Sequence, residues 1–184
     1  FYGLQFEVNE NTLIPRPETE ELVEWIIESQ KSKVKSQKFE ILDIGTGTGC
    51  IPISLKANLP HVNVSAIDVS EKALEVARRN AVSNKVEMNF IQTNILEVED
   101  LSQLQTPNFQ LPTSFDIIVS NPPYVRNLEK EEIKKNVLDY EPHLALFVED
   151  TDALLFYRKI AQLALKNLAP NGLLFFEINQ YLGK

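Results

Sequence analysis

Hydrophobic positions along the chain fall into short apolar blocks separated by amphipathic stretches. Glu40–Ile44, Val62–Ile67, Val86–Ile91, Phe115–Ser120 and Leu173–Ile178 are runs of five or six residues rich in Ile, Val and Leu. Such runs, in alternation with helices, predict strands of a sheet covered on both faces. Between them the spacing turns helical. Leu22, Val23, Ile26 and Ile27 share a face, behind Pro17 and the acidic Glu18, Glu20 and Glu21, which suit a helix first turn. A second helix runs from about Cys50 to Asn58, with Pro52 in the turn where a missing N–H does no harm. Ser70 is placed to cap a third, whose apolar face carries Ala73, Leu74, Ala77 and Ala81. A fourth spans about Asp152 to Leu168, with Leu155, Ile160, Ala164 and Leu168 inward. Residues 1–14 predict a small β-hairpin turning at Asn9-Glu10-Asn11. Residues 31–38 and 97–114 read as polar connectors, and 125–151 as a charged segment with a short helix near Glu129–Val137.

Strand and helix alternate throughout, which predicts an α/β fold: a mostly parallel, Rossmann-like sheet with helices on both faces. One domain is expected over 1–184, with 1–38 leading into a core at 39–184. The chain's 184 residues, 43% hydrophobic and 24% charged, are enough to bury such a core. The abrupt start at Phe1 and the end at Lys184 just after an apolar strand predict a fragment of a longer protein.

Charge and residue usage narrow the chemistry. A net charge of −8 does not favour a bare duplex binder, so no direct nucleic-acid contact is expected. The lone Cys50 excludes an internal disulfide and reads as a small packed residue rather than a reactive thiol. His61 and His143 are far apart with no cysteine cluster, so no metal is expected. No apolar run is long enough for a membrane span, and with no leader pattern the expected location is cytoplasmic.

In open α/β sheets, ligands sit beyond the carboxyl ends of the strands. Four marked positions fall there: Gly45-Thr46-Gly47-Thr48-Gly49, Asp68, Asn94-Ile95 and Asn121-Pro122-Pro123-Tyr124. The glycine loop departs from the dinucleotide fingerprint, because Cys50 stands where its third glycine belongs. Glycines admit a ligand close to the backbone, and the helix behind them offers N–H donors to a carboxylate. Asp68, roughly 20 residues on, is placed to accept ribose hydroxyls. The weaker alternative for it is a helix cap before Ser70. Ile95 is a candidate cover for adenine and Asn94 for its edge, though both could simply end a strand. S-adenosylmethionine is an adenosine ligand with a carboxylate in place of a pyrophosphate. At Asn121 the two prolines stop the strand and offer no N–H. That leaves the Asn121 side-chain oxygen and the Pro122 carbonyl as acceptors able to hold an NH2 group by both hydrogens.

Gly45 to Gly49, Asp68 and Asn121 to Tyr124 resemble the motifs of class I methyltransferases that modify an amide or amino nitrogen. Ile14-Pro15-Arg16-Pro17-Glu18-Thr19-Glu20 is more specific. It resembles the HemK/PrmC family, the protein-(glutamine-N5) methyltransferases of peptide-chain release factors. Glu141-Pro142 and Ala145-Leu146 are similar to that family too, and the resemblance covers essentially the whole chain. It implies N5-methylation of a glutamine in a Gly-Gly-Gln motif, with S-adenosylmethionine consumed and S-adenosylhomocysteine produced. It implies a cofactor loop at Gly45, Thr46, Gly47, Thr48 and Gly49, a ribose acid at Asp68, and a substrate clamp at Asn121, Pro122, Pro123 and Tyr124. Arg16 is expected beside the cofactor and substrate. The chain departs from the pattern at Asn94-Ile95, where many members carry Asp followed by an aromatic residue. With no acid or histidine adjacent to the clamp in sequence, positioning is expected to dominate, with the proton lost to water.

Three other readings stand beside this one. An adenine-N6 methyltransferase of DNA or RNA uses a similar clamp on a flipped base, but the acidic composition and the Arg16–Glu20 segment argue against it. A ribosomal-protein glutamine is a second possible substrate. A cofactor-binding module without catalysis is the third, opposed by the intact clamp.

Overall fold

A computed structural model describes residues 1–30, 39–126, 142, 146–148 and 151–178. Its centre is a five-stranded sheet of β1 (Phe39–Ile44), β2 (Val62–Asp68), β3 (Asn89–Gln92), β6 (Phe115–Ser120) and β9 (Leu168–Phe176). The spatial order is β3-β2-β1-β6-β9, and every neighbouring pair is parallel. The order reverses beside β1, which opens a crevice between the ends of β1 and β6.

Helices α1 (Pro17–Gln30), α2 (Cys50–Asn58), α3 (Glu71–Ser83) and α4 (Leu155–Asn167) connect and cover the strands. The central strands are buried along most of their length because both faces are covered. Ile41, Ile117 and Val119 pack with Leu22, Val23 and Ile26 of α1 and Ile51 and Leu55 of α2. Leu42 and Ile118 pack in a second cluster with Ile160, Leu163 and Ala164 of α4. Ser70 caps α3 as its position predicts, accepting from the Ala73 N–H at 3.2 Å.

The N-terminal hairpin does not form. Residues 1–16 contain no strand. Their polar groups are satisfied by α3 instead: Asn80 Oδ1 accepts from the Glu7 N–H at 2.7 Å, and Asn80 and Asn84 donate to the Glu7 and Gln5 carbonyls at 3.0 and 2.8 Å. Partners from a helix replace the ladder that a hairpin would have supplied. Residues 97–114 hold more structure than their polarity suggests. Two 3-10 turns, Ile95–Glu97 and Leu101–Gln103, precede a small antiparallel hairpin of β4 (Gln105–Thr106) and β5 (Phe109–Gln110). β3 begins three residues later than the apolar run at Val86. β9 starts earlier than expected and carries Pro170-Asn171-Gly172 as a bulge, with Asn171 at φ 66. Beyond the clamp, β7 (Val125–Arg126) pairs in parallel with β8 (Phe147–Val148). The helix expected near Glu129–Val137 lies outside the described residues.

Candidate active site

A cavity of about 820 Å³ lies at the carboxyl ends of β1, β2 and β6. Thr46, Gly47, Asp68, Asn94, Ile95, Asn121 to Tyr124 and Arg16 all line it, so topology gathers nearly every marked position. Pro142 and Leu146 line it too, while Glu141 and Ala145 lie outside the described residues.

The glycine loop is built for close approach on one side and close packing on the other. Gly45 and Gly47 have φ of +78° and +53°, and a Cβ at either would meet no atom within 4 Å. Open space lies against the backbone there. Gly49 behaves differently. It does not line the cavity, and a Cβ on it would stand 2.9 Å from Ile53 Cδ1 and 3.2 Å from Ala77 Cβ. Its missing side chain therefore allows close contact between α2 and α3. Gly49 gives α2 no side-chain cap, Thr48 Oγ1 accepts from the Cys50 N–H at 3.3 Å, and Cys50 and Ile51 line the cavity at that end.

Asp68 does two jobs in part. Its Oδ2 accepts from the Gly47 N–H at 2.8 Å and its Oδ1 from the Ser70 N–H at 2.9 Å. It thus clamps the glycine loop to the start of α3. An ionised carboxylate has about four lone-pair sites, which leaves capacity for ligand hydroxyls. Burial raises its pKa, and these N–H donors oppose the rise. In the Asn94 side chain, Oδ1 accepts from the Leu96 N–H at 3.2 Å and Nδ2 donates to Glu97 Oε1 at 2.8 Å, which leaves one site on each group. Ile95 is 7% exposed and presents an apolar wall.

The clamp is fixed from both sides of β6. Ser120 Oγ donates to the Ile44 carbonyl at 2.6 Å, locking the end of β6 against the end of β1. From β9, the Glu177 N–H donates to the Ser120 carbonyl at 3.1 Å. The Glu177 side chain lines the same cavity as Asn121 and Tyr124. Thr19 Oγ1 of α1 donates to Glu177 Oε2 at 2.6 Å. An acid does therefore stand beside the clamp, contrary to the reading from sequence neighbours. Burial raises the Glu177 pKa, with the Thr19, Asn121 and Tyr124 donors opposing it. Burial likewise raises the Tyr124 phenol, helped by the Glu177 charge and opposed by the Arg16 charge. The Cys50 thiol is pushed up to about 12 by burial, so it stays protonated and packs as a small apolar residue.

Two functional positions had no local signal. Glu177 looks like any residue at the end of an apolar strand. Asn80, 1% exposed on α3, donates to the Thr48 carbonyl at 3.0 Å and thereby ties the glycine loop to the N-terminal segment.

The family model described as "Methyltransferase small domain" matches residues 26–143. The chain belongs to the methyltransferase small-domain family. Over its full length it is 66% identical to a protein of Flavobacterium psychrophilum named "Release factor glutamine methyltransferase" and 47% identical to one of the same name from Bacteroides thetaiotaomicron. It spans 61% of the length of each of these relatives. Among solved structures, a methyltransferase from Pyrococcus furiosus superposes with a TM-score of 0.59 at 21% identity, covering 97% of this chain and 71% of the other. At that identity the likeness shows the fold: this methyltransferase domain has the Rossmann-like architecture of the class I enzymes, with a sheet of five parallel strands. No helix among the described residues is long and apolar enough to cross a membrane.

Proposed function

We propose that this domain carries the catalytic site of an enzyme that transfers a methyl group from S-adenosylmethionine to the N5 nitrogen of a glutamine side chain. The substrate we propose is the Gly-Gly-Gln glutamine of a peptide-chain release factor, which makes the modification one of translation termination in the cytoplasm. The observation that carries the reading is the meeting of the Asn121–Tyr124 clamp with the glycine loop and Asp68 in one cavity. The names of the relatives support the choice of substrate.

The residues present fit the cofactor. Open space against Gly45 and Gly47, and the N–H groups of the first turn of α2 beyond Cys50, suit its carboxylate. Asp68 has acceptor capacity left for ribose hydroxyls, and Ile95 suits the adenine face. Beside its bonds to Leu96 and Glu97, the Asn94 amide keeps one hydrogen and one lone pair with which to meet the adenine edge. S-adenosylmethionine, when bound, supplies an electrophilic methyl on a sulfonium sulfur.

An amide nitrogen is a poor nucleophile because its lone pair is shared with the carbonyl. Asn121 Oδ1 and the Pro122 carbonyl would accept its two N–H bonds, aim the nitrogen and favour the positive charge that builds on it. Tyr124 would pack against the amide plane, and Arg16, which lines the same cavity, would contact the substrate. Alignment of two reactants supplies ~7–11 kcal/mol, against ~10²–10⁴-fold from a general base. Positioning therefore dominates, and the spare proton leaves to water.

The test uses the full-length protein with radiolabelled S-adenosylmethionine. A release factor, its Gly-Gly-Gln variant with Gln replaced by Ala, a ribosomal-protein fraction and DNA are offered in parallel. Label on the release factor that vanishes in the Ala variant is the expected result. Label confined to ribosomal protein or to DNA would keep the clamp and overturn the substrate. Asn121→Ala is expected to lower turnover roughly 10²–10³-fold, with cofactor affinity within several-fold by calorimetry. Unchanged turnover in that variant would overturn the clamp.

A further inference from the structure

One peptide unit at the end of β1 is gripped from both sides. The Ile44 carbonyl accepts from Ser120 Oγ of β6 at 2.6 Å, and the Gly45 N–H of the same unit donates to the Ile67 carbonyl of β2 at 2.8 Å. Gly45 opens the glycine loop at a φ of +78°. The orientation of this peptide therefore sets the direction in which the loop leaves the strand. Ser120 is 0% exposed, pairs in register with Ile44, and immediately precedes Asn121. Its own carbonyl accepts from the Glu177 N–H at 3.1 Å, on the β9 side.

Both strands end at this point, β1 at Ile44 and β6 at Ser120. Pro122 and Pro123 have no N–H with which to carry the pairing further. A buried hydroxyl needs a partner, and the one it has is the carbonyl at the root of the cofactor loop. A single short side-chain bond thus joins the residue from which the clamp starts to the peptide from which the glycine loop starts. Ser120 and Ile44 both line the cavity between them.

We propose that Ser120 is a positioning residue that sets the separation between the methyl donor and the nitrogen held by the clamp. This rests on the reading above, in which Asn121 and Pro122 hold the methylated amide beside the cofactor. Two reactants combine only from a near-attack arrangement, and a misplacement of ~1 Å costs on the order of 10²-fold. Removing the hydroxyl leaves both half-sites intact and frees their spacing.

Ser120→Ala removes the hydroxyl, and Ser120→Cys fills its space with a weak donor. In the full-length protein, saturated with S-adenosylmethionine and substrate, both variants are expected to lower the single-turnover rate roughly ten- to a hundredfold. Cofactor affinity by calorimetry should stay within about threefold, as should the steady-state KM for the substrate. A general loss of structure would not give that split. A Ser120→Cys variant with the wild-type rate would show that filled volume matters rather than the bond, and would overturn the proposal. So would a defect carried by cofactor affinity or KM with the rate intact. The substrate reading fails separately. If the wild type labels DNA or a ribosomal protein in place of a release factor, that reading falls and the same rate comparison is made on the labelled substrate. If it labels none of them, amide hydrogen exchange in the cofactor-bound protein decides. Exchange at Gly45, remote in sequence from the substitution, should quicken on Ser120→Ala; unchanged exchange would overturn the tie on which the proposal stands.

Discussion

A single methyl group separates two kinds of glycine in the loop after β1. At Gly49, a Cβ would stand 2.9 Å from Ile53 Cδ1 and 3.2 Å from Ala77 Cβ, at a φ of +79°. Gly49→Ala combines overpacking with left-handed strain, so a stability loss of about 2–4 kcal/mol is expected. At Gly47, φ is +53° and the added Cβ meets nothing within 4 Å. Gly47→Ala should cost only the backbone strain, about 1–2 kcal/mol. Its Cβ would enter the cavity, so S-adenosylmethionine binding should weaken by tenfold or more. Urea unfolding and calorimetric titration of both variants read the contrast, and the reverse pattern would show the two roles misassigned. The loop itself was legible in the sequence because a run of glycines between a strand and a helix is a local signal. Which glycine packs and which faces the cavity was not, because that depends on Ala77 in a later helix. Glu177 was hidden for the same reason. Only the pairing of β6 with β9 brings it to Ser120 and the clamp.

Among the strands and helices, the alternation was legible because apolar runs and helical spacing are written locally. Errors fell where a segment takes its partners from elsewhere. Residues 1–16 alternate like a hairpin, yet α3 supplies their hydrogen bonds. Arg79 pairs with both oxygens of Glu7 at 2.7 and 3.0 Å, and Asn80 bonds to Glu7 on one side and Thr48 on the other. The exposed Arg79–Glu7 pair contributes little. The buried Asn80 matters more, because its loss leaves the Glu7 N–H and the Thr48 carbonyl short of partners. Asn80→Ala is expected to destabilise the protein by about 1–3 kcal/mol. Hydrogen exchange should rise at Glu7, and cofactor affinity should fall through the freed Thr48 peptide. Unaltered exchange at Glu7 would show that the segment is held by other contacts. Residues 97–114 were misread for a related reason. Val98, Leu101 and Leu111, all buried, anchor a polar stretch to the core under α4, and the five apolar residues among these eighteen are spaced too irregularly for a periodic signal.

For the folded chain taken entire, one buried acid sets a dependence of stability on pH. Asp43 lies at the end of β1 with 0% exposure, and neither carboxyl oxygen has a hydrogen-bond partner among the described residues. Burial pushes its pKa up to about 7, with the Asp68 charge adding to the rise. The Thr46 hydroxyl offsets part of this, though its approach falls short of hydrogen-bond geometry. The unfolded chain releases this proton near the ordinary value of 3.8, so between there and about 7 the folded state binds more protons. Stability contributed by this group is therefore fully present below the unfolded pKa and lost as pH rises through the folded one. The charged form above that range costs up to about 4 kcal/mol, since each tenfold change in proton affinity between the two states is worth about 1.4 kcal/mol. Asp43→Asn removes the titration while keeping the volume. Denaturant unfolding from pH 5 to pH 8 should show the wild type losing stability toward the alkaline end, with a flatter profile in the variant. Any constant cost of the new amide shifts that profile without tilting it, so the slope is the quantity to compare. Parallel profiles would mean that Asp43 is solvated or paired in solution. A steeper fall in the variant would place the titrating group elsewhere, with Asp68 and Glu177 the next carboxylates to replace.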